Sequence, residues 1–127
     1  MTVGQALERA EELRPGSRVS AETRQRWLRE ADGLIRERVF RPCATDAYDA
    51  VGADRVWQDG LQDDDVLLVP APFDALYPHY LCARTDAALG ETDRCAGEQA
   101  QYNSLLSELA VWLRCNYPSR HRVQWHW

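Results

Sequence analysis

The sequence predicts an all-α fold: a small bundle of about four helices, with a long insert between the second and third that has room for a short β-hairpin. Three observations carry this expectation. Apolar residues recur at i, i+3, i+4 and i+7 in four separate stretches, the spacing of one helix face. Proline and glycine stand where those stretches stop, at Pro15-Gly16, Pro42, Gly90 and Pro118. Residues 41–73 break the pattern, being rich in Asp, Ala and Gly without a helical period.

The first helix is expected to begin at Val3, because Thr2 and Gln5 have the spacing of a capping box. Val3, Ala6, Leu7, Ala10 and Leu13 form its apolar stripe. Ser20 is a suitable N-cap for a second helix running to about Phe40. Its apolar face is Trp27, Leu28, Ala31, Leu34, Ile35 and Val39, with Arg24, Arg26, Arg29, Glu30, Arg36, Glu37 and Arg38 on the other side.

Within the insert, Asp63, Asp64 and Asp65 precede the apolar run Val66–Val69. Val56-Trp57 and Val66–Val69 could pair as a hairpin, with Asp59-Gly60 supplying the turn. A loop of roughly 30 residues without structure of its own is uncommon in a compact domain and usually has a job. After Pro70 and Pro72 the spacing becomes helical again, with Phe73, Leu76, Tyr77, Tyr80 and Leu81 on one face. The third helix therefore starts near Phe73 or Asp74, runs toward Ala88 and is capped by Gly90. Pro78 is accommodated only if the helix starts at Asp74 to Tyr77, since farther in it would kink the chain. The fourth helix spans about Thr92 to Asn116, with Tyr102, Leu105, Leu106, Leu109 and Trp112 or Leu113 as its stripe and Gly97 as a weak point. Residues 1–118 thus read as one helical domain, and 119–127 as a tail.

Composition narrows the function. The chain has 127 residues and a formal net charge of −5, with 15 basic residues, all Arg, against 20 acidic ones. Net acidity argues against a free-standing nucleic-acid binder, which needs a basic surface to neutralise phosphate. No apolar run reaches the ~18 residues of a membrane span, and MTVGQALERAEEL lacks a signal-peptide core, so the cytosol is the expected site of synthesis and assembly. Cys43, Cys82, Cys95 and Cys115 show no CxxC spacing and read as free, small, buried side chains.

Signatures of catalysis are scarce. There is no phosphate loop, no GxSxG and no HExxH. His79 and Cys82 lie at i, i+3 on one helix, and Cys115, His121 and His126 could add ligands, but a metal needs three or four converging groups. A nucleophilic Cys82 would need His79 as base and a third group to orient it. The three consecutive aspartates lack the alternating ligands and trailing Glu of a calcium loop, so a solvated acidic tip is the plainer reading. No cofactor-binding pattern is present. Of five tryptophans, Trp27 and Trp112 fall on apolar helix stripes and are assigned to the core. Trp57 lies in the insert, and Trp125 and Trp127 lie in the basic-aromatic tail, where they either pack at home or anchor a partner.

The order of features resembles the small head–tail connector (adaptor, or head-completion) proteins of tailed phages and of prophages in Gram-positive bacteria. The resemblance begins with MTVGQALERAEELRPG followed by WLREADGLIRERV. It is strongest from LLVPAPFDALYPHYL through GETDRCAGEQAQYNSLLSELAVWL. The matching positions are the lead-in Leu67 to Tyr77, Gly90 and Glu91, Arg94, Tyr102 and Asn103, and the closing amphipathic helix. Two departures stand out: Pro78 occupies a place usually held by an apolar helix former, and Arg120 to Trp127 has no counterpart.

That resemblance implies a non-enzymatic bundle that packs beside copies of itself into a ring, commonly twelvefold. The ring sits under the portal protein, meets a tail-side connector or stopper, and extends the DNA channel without reading sequence. It implies a place at the head–tail junction of a virion, after assembly in the host cytoplasm. The insert would bridge subunits or line the channel, where its acidity would repel passing DNA. Candidate interface residues are Trp57, Asp63, Asp64, Asp65, Val66, Leu68, Arg120, Arg122, Trp125 and Trp127. The rival reading is a small helical regulatory or DNA-associated prophage protein. The many Arg of the second helix favour it, whereas the interleaved Glu and the overall acidity oppose it.

Overall fold

The computed structural model describes residues 1–16, 18–40 and 62–116. Four α-helices account for most of them: α1 (Val3–Leu13), α2 (Ala21–Ile35), α3 (Leu76–Ala88) and α4 (Thr92–Asn116). The all-α expectation holds. Helix α3 is the central element, and paired residues fix the direction of its neighbours. Cys82 meets the Ala10 carbonyl and Asp86 meets Arg14, so α1 runs parallel to α3. Trp27 faces Arg84 while Asp32 faces Tyr77, so α2 runs antiparallel. Phe73 stacks obliquely on Trp112 and Tyr80 on Tyr102, so α4 is antiparallel as well. Being packed on three sides, α3 buries Leu76, Tyr77, Pro78, Leu81, Cys82, Ala83, Thr85 and Asp86.

The start of α1 accounts for every backbone donor that a helix leaves open. The Thr2 hydroxyl accepts from Gln5 N–H and the Gln5 side chain accepts from Thr2 N–H, completing the capping box. The next two donors, Val3 and Gly4 N–H, go to the carbonyls of Asp65 and Asp63, both at 2.9 Å. A side chain at Gly4 would come within 3.1 Å of the Asp63 carbonyl oxygen, so glycine is what permits this approach. Val66 and Thr2 form an antiparallel bridge, and Leu67 N–H donates to the Met1 carbonyl. The described half of the expected hairpin thus pairs with the residues preceding α1. Val56 and Trp57, the other half, lie outside the described residues.

Helix α2 is capped by Ser20, whose hydroxyl accepts from Thr23 N–H. It opens into a π turn at Arg36–Phe40, where Arg36 and Phe40 are buried and the residues between them are not. Two expectations need correction here. Arg36, assigned to the polar face, is inside, and Leu34, assigned to the apolar face, is exposed. On α1, Leu13 is likewise exposed at the end of the predicted stripe.

A 3-10 turn, Phe73–Ala75, leads into α3, which leaves Pro78 in the first α-helical turn. There a missing N–H costs little, so the proline is buried without breaking the helix. Helix α3 closes with Gly90 at φ +77°. Glu91 N–H donates to the Asp86 carbonyl and Gly90 N–H to the Ala87 carbonyl, the paired bonds of a Schellman cap. The bounds of α4 agree with the sequence reading. Trp27 is in the core, and Trp112 is half-buried against it.

Candidate functional site

The candidate site lies where residues 62–69 meet the bundle, and it is built on a buried carboxylate. Asp32 is fully enclosed. Its Oδ2 accepts from Arg36 Nε at 2.9 Å, one turn further along the chain. Its Oδ1 accepts from the Tyr77 hydroxyl at 2.8 Å and from Leu68 N–H at 3.1 Å. The Tyr77 oxygen in turn accepts from Val69 N–H at 3.0 Å. A charge removed from water is tolerated only where its lone pairs are filled in this way. Burial, together with the Asp32 charge, pushes the Tyr77 hydroxyl well above the usual phenol range, so Tyr77 stays a donor to Asp32.

These contacts hold the apolar run from below while α1 holds it from the side. Leu67, Leu68 and Val69 become core residues, and the turn before them is pinned to the surface. Asp65 is half-buried, and its carboxylate accepts from Gln62 N–H at 2.8 Å. Asp63 and Asp64 are exposed, with Asp63 also accepting from the Gln25 side chain at 3.2 Å. Val66 is 61% exposed, the most open large apolar side chain among the described residues.

Of the interface candidates read from the sequence, Asp63, Asp64 and Val66 therefore stand together on the surface. Leu68 is a correction: it is 5% exposed and belongs to the core, because after the single bridge at Val66 the segment leaves strand geometry and Leu67, Leu68 and Val69 all turn inward, with Leu68 N–H drawn to Asp32. Asp65 serves the turn itself. Trp57, Arg120, Arg122, Trp125 and Trp127 lie outside the described residues, as does the division between domain and tail at 118–119.

A second polar cluster sits at the other end of α1. Arg14 forks onto buried Asp86 through Nε at 3.1 Å and Nη2 at 3.1 Å. Its Nη2 also reaches Glu98 Oε1 at 2.9 Å, and His79 Nδ1 lies 2.6 Å from Glu98 Oε2. The guanidinium pKa rises through its hydrogen bonds to Asp86. His79 is thus committed to a carboxylate on α4. Nearby Cys82 is buried, and desolvation pushes its thiol up to about 11, which works against a reactive thiolate. Among the cysteines, Cys95 is half-buried and Cys115 exposed, so the expectation of burial holds for Cys82 alone; Cys43 lies outside the described residues. No three His, Cys, Asp or Glu side chains converge to hold a metal among the described residues, and His121 and His126 lie outside them.

Two arginines of the Arg-rich second helix are committed internally, Arg36 to Asp32 and Arg24 to Glu11 at 3.1 Å. No described helix is long and apolar enough to cross a membrane. Sequence reasoning missed Asp32, Asp86 and Arg14. The available signal was the interruption of an apolar face by a single acid, Asp32 between Ala31 and Ile35, with Arg36 four residues on. The structure defines the class, a four-helix all-α bundle with a pinned acidic segment. Comparison with family models, curated proteins and solved structures found no match to the chain.

Proposed function

We propose that this chain is a non-enzymatic structural protein of phage head–tail assembly, forming a ring that docks on the portal and extends the DNA channel toward the tail. On this reading its partners are other copies of itself, the portal protein and a tail-side connector or stopper, and its final place is the head–tail junction of the virion. DNA passes through the ring without being read.

One observation carries the reading beyond resemblance: the acidic segment is held rigidly yet turned outward. Residues 62–69 are tied by backbone hydrogen bonds to α1 and by Asp32 and Tyr77 to the core, while Asp63, Asp64 and Val66 face solvent. Fixing a surface segment this firmly removes the entropy of ordering it on contact, which suits a docking element. The test is co-purification with the portal protein of the same genome, followed by light scattering and negative-stain imaging. A portal ring that gains a second stacked ring is the expected result. A portal ring that ignores the protein would overturn the proposal.

A further inference from the structure

Helix α1 separates two surface features of opposite character. At its N-terminal end stands the acidic–apolar knob of Asp63, Asp64 and Val66, fixed by the Gly4–Asp63 and Val3–Asp65 backbone bonds. At its C-terminal end, about 16 Å away at the helical rise of 1.5 Å per residue, lies a cavity of about 590 Å³. Arg14 and Asp86 form its floor and are paired with each other. Arg18 and Arg94 stand exposed at its edge, opposed only by Glu91. Leu13 and Leu89, 43% and 50% exposed, supply apolar wall. With Arg14 held by Asp86 and Glu98, the exposed pair Arg18 and Arg94 against Glu91 makes this rim locally positive on a chain whose net charge is −5.

We propose that the knob of one copy seats in this hollow on the next, with Asp64 and Asp63 facing Arg18 and Arg94, and Val66 lying against Leu13 and Leu89. This rests on the ring-forming reading above and names the surfaces that would form it. Both charge and apolarity match, and the two halves sit at opposite ends of one helix. Where the knob and the hollow of one copy engage different neighbours the contact is head-to-tail, and repeated addition gives either a ring or a filament. Each contact is small and weak alone. A copy in a closed ring is held on both sides, and a portal template raises the effective concentration further.

The experiment uses the full chain and two surface variants, Asp64→Arg and Arg94→Glu, each first checked by circular dichroism for an unchanged melt. Sedimentation velocity up to roughly 1 mM, the limit at which weak contacts of this kind register, is expected to show concentration-dependent association of the parent chain that weakens with salt. Each variant alone should lose that association by about tenfold or more, the effect of placing like charges across the contact. An equimolar mixture of the two is the decisive arm. The acidic residue at position 94 of one variant then faces the basic residue at position 64 of the other, and the intact knob of one faces the intact hollow of the other, so mixed species should reappear.

Association of the parent that neither variant disturbs would overturn this pair of surfaces and leave ring formation standing. A parent chain that stays monomeric throughout would overturn the self-contact, and portal co-purification would still judge the docking reading by itself.

Discussion

The two polar clusters of this molecule use the same chemistry in different surroundings. Around Asp32, a carboxylate, a guanidinium, a phenol and two backbone N–H groups are sealed in the core. Around Asp86, the carboxylate is buried, but its partner Arg14 is 23% exposed and borders an open cavity. The first cluster joins an irregular segment to two helices, while the second joins helices to one another. The difference teaches that the costly arrangement is spent where the backbone has no regular partner. Leu68 and Val69 N–H would be unsatisfied donors in the core without Asp32 and Tyr77.

The largest effect should therefore come from Asp32→Ala. Breaking the buried Asp32–Arg36 pair also frees Leu68 N–H and the Tyr77 hydroxyl, so a loss of about 3–5 kcal/mol is expected. That is a large share of the roughly 5–15 kcal/mol that holds a domain folded. Urea denaturation at low and high salt would measure it, and the loss should be indifferent to salt because water does not reach the site. Hydrogen exchange should show lost protection at Leu68 and Val69. A cost below about 1 kcal/mol would mean that solvent already enters the first cluster.

The second cluster should respond to alkali. The Cys82 thiol lies beneath it, and burial raises its pKa from an ordinary 9 to about 11. In the unfolded chain the thiol ionises near 9, so between pH 9 and 11 the unfolded state holds fewer protons and stability must fall with rising pH. The contribution is complete below pH 9 and gone above about 11. A two-unit shift corresponds to roughly 2–3 kcal/mol at most. Cys82→Ala should flatten the decline, leaving the part due to the phenols that burial also raises, Tyr77, Tyr80 and Tyr102. An unchanged slope would show that the space between α1 and α3 is open to water. Arg14→Ala should cost less, about 1–2 kcal/mol, since water from the cavity can take over part of what Asp86 loses. Unlike the loss at Asp32, this one should shrink as salt is added.

How far these regions could be read from sequence differs for a physical reason. Thr2, Ser20 and Gly90 act through neighbours three to five residues away, so the helix ends they make were legible. Helix α4 has one buried stripe, and its bounds were legible too. The links between Asp32 and Leu68, or Arg14 and Asp86, span 36 and 72 residues, and no local spacing encodes them. Helix α3 packs on three sides, so its buried Thr85 and Asp86 fall off any single face. The run at Val66–Val69 was recognisably strand-like, but its partner was set by α1's need for acceptors. At the site, the exposure of Asp63 and Asp64 was legible because a run of acids before an apolar stretch reads as a solvated tip. Leu68 was misplaced because a continuous apolar run does not say which residues face inward.

The smallest expected effect separates the clusters from the opposite direction, by strengthening one of them. Gly97 lies in the second turn of α4, next to Glu98, which both Arg14 and His79 hold. A Cβ at position 97 would meet nothing within 4 Å, and its φ is not in the left-handed region. Gly97→Ala therefore adds no strain and removes only the unfolded chain's extra freedom, a gain of about 0.5–1 kcal/mol. Because the gain stiffens the helix that carries Glu98, amide exchange should slow in the first turns of α4 and stay unchanged at Leu68 and Val69. A gain that also protected Leu68 and Val69 would mean the clusters open together, as one cooperative unit. A loss would mean that the start of α4 is not a continuous helix in solution, and the Arg14–Glu98–His79 contacts would then have no fixed base.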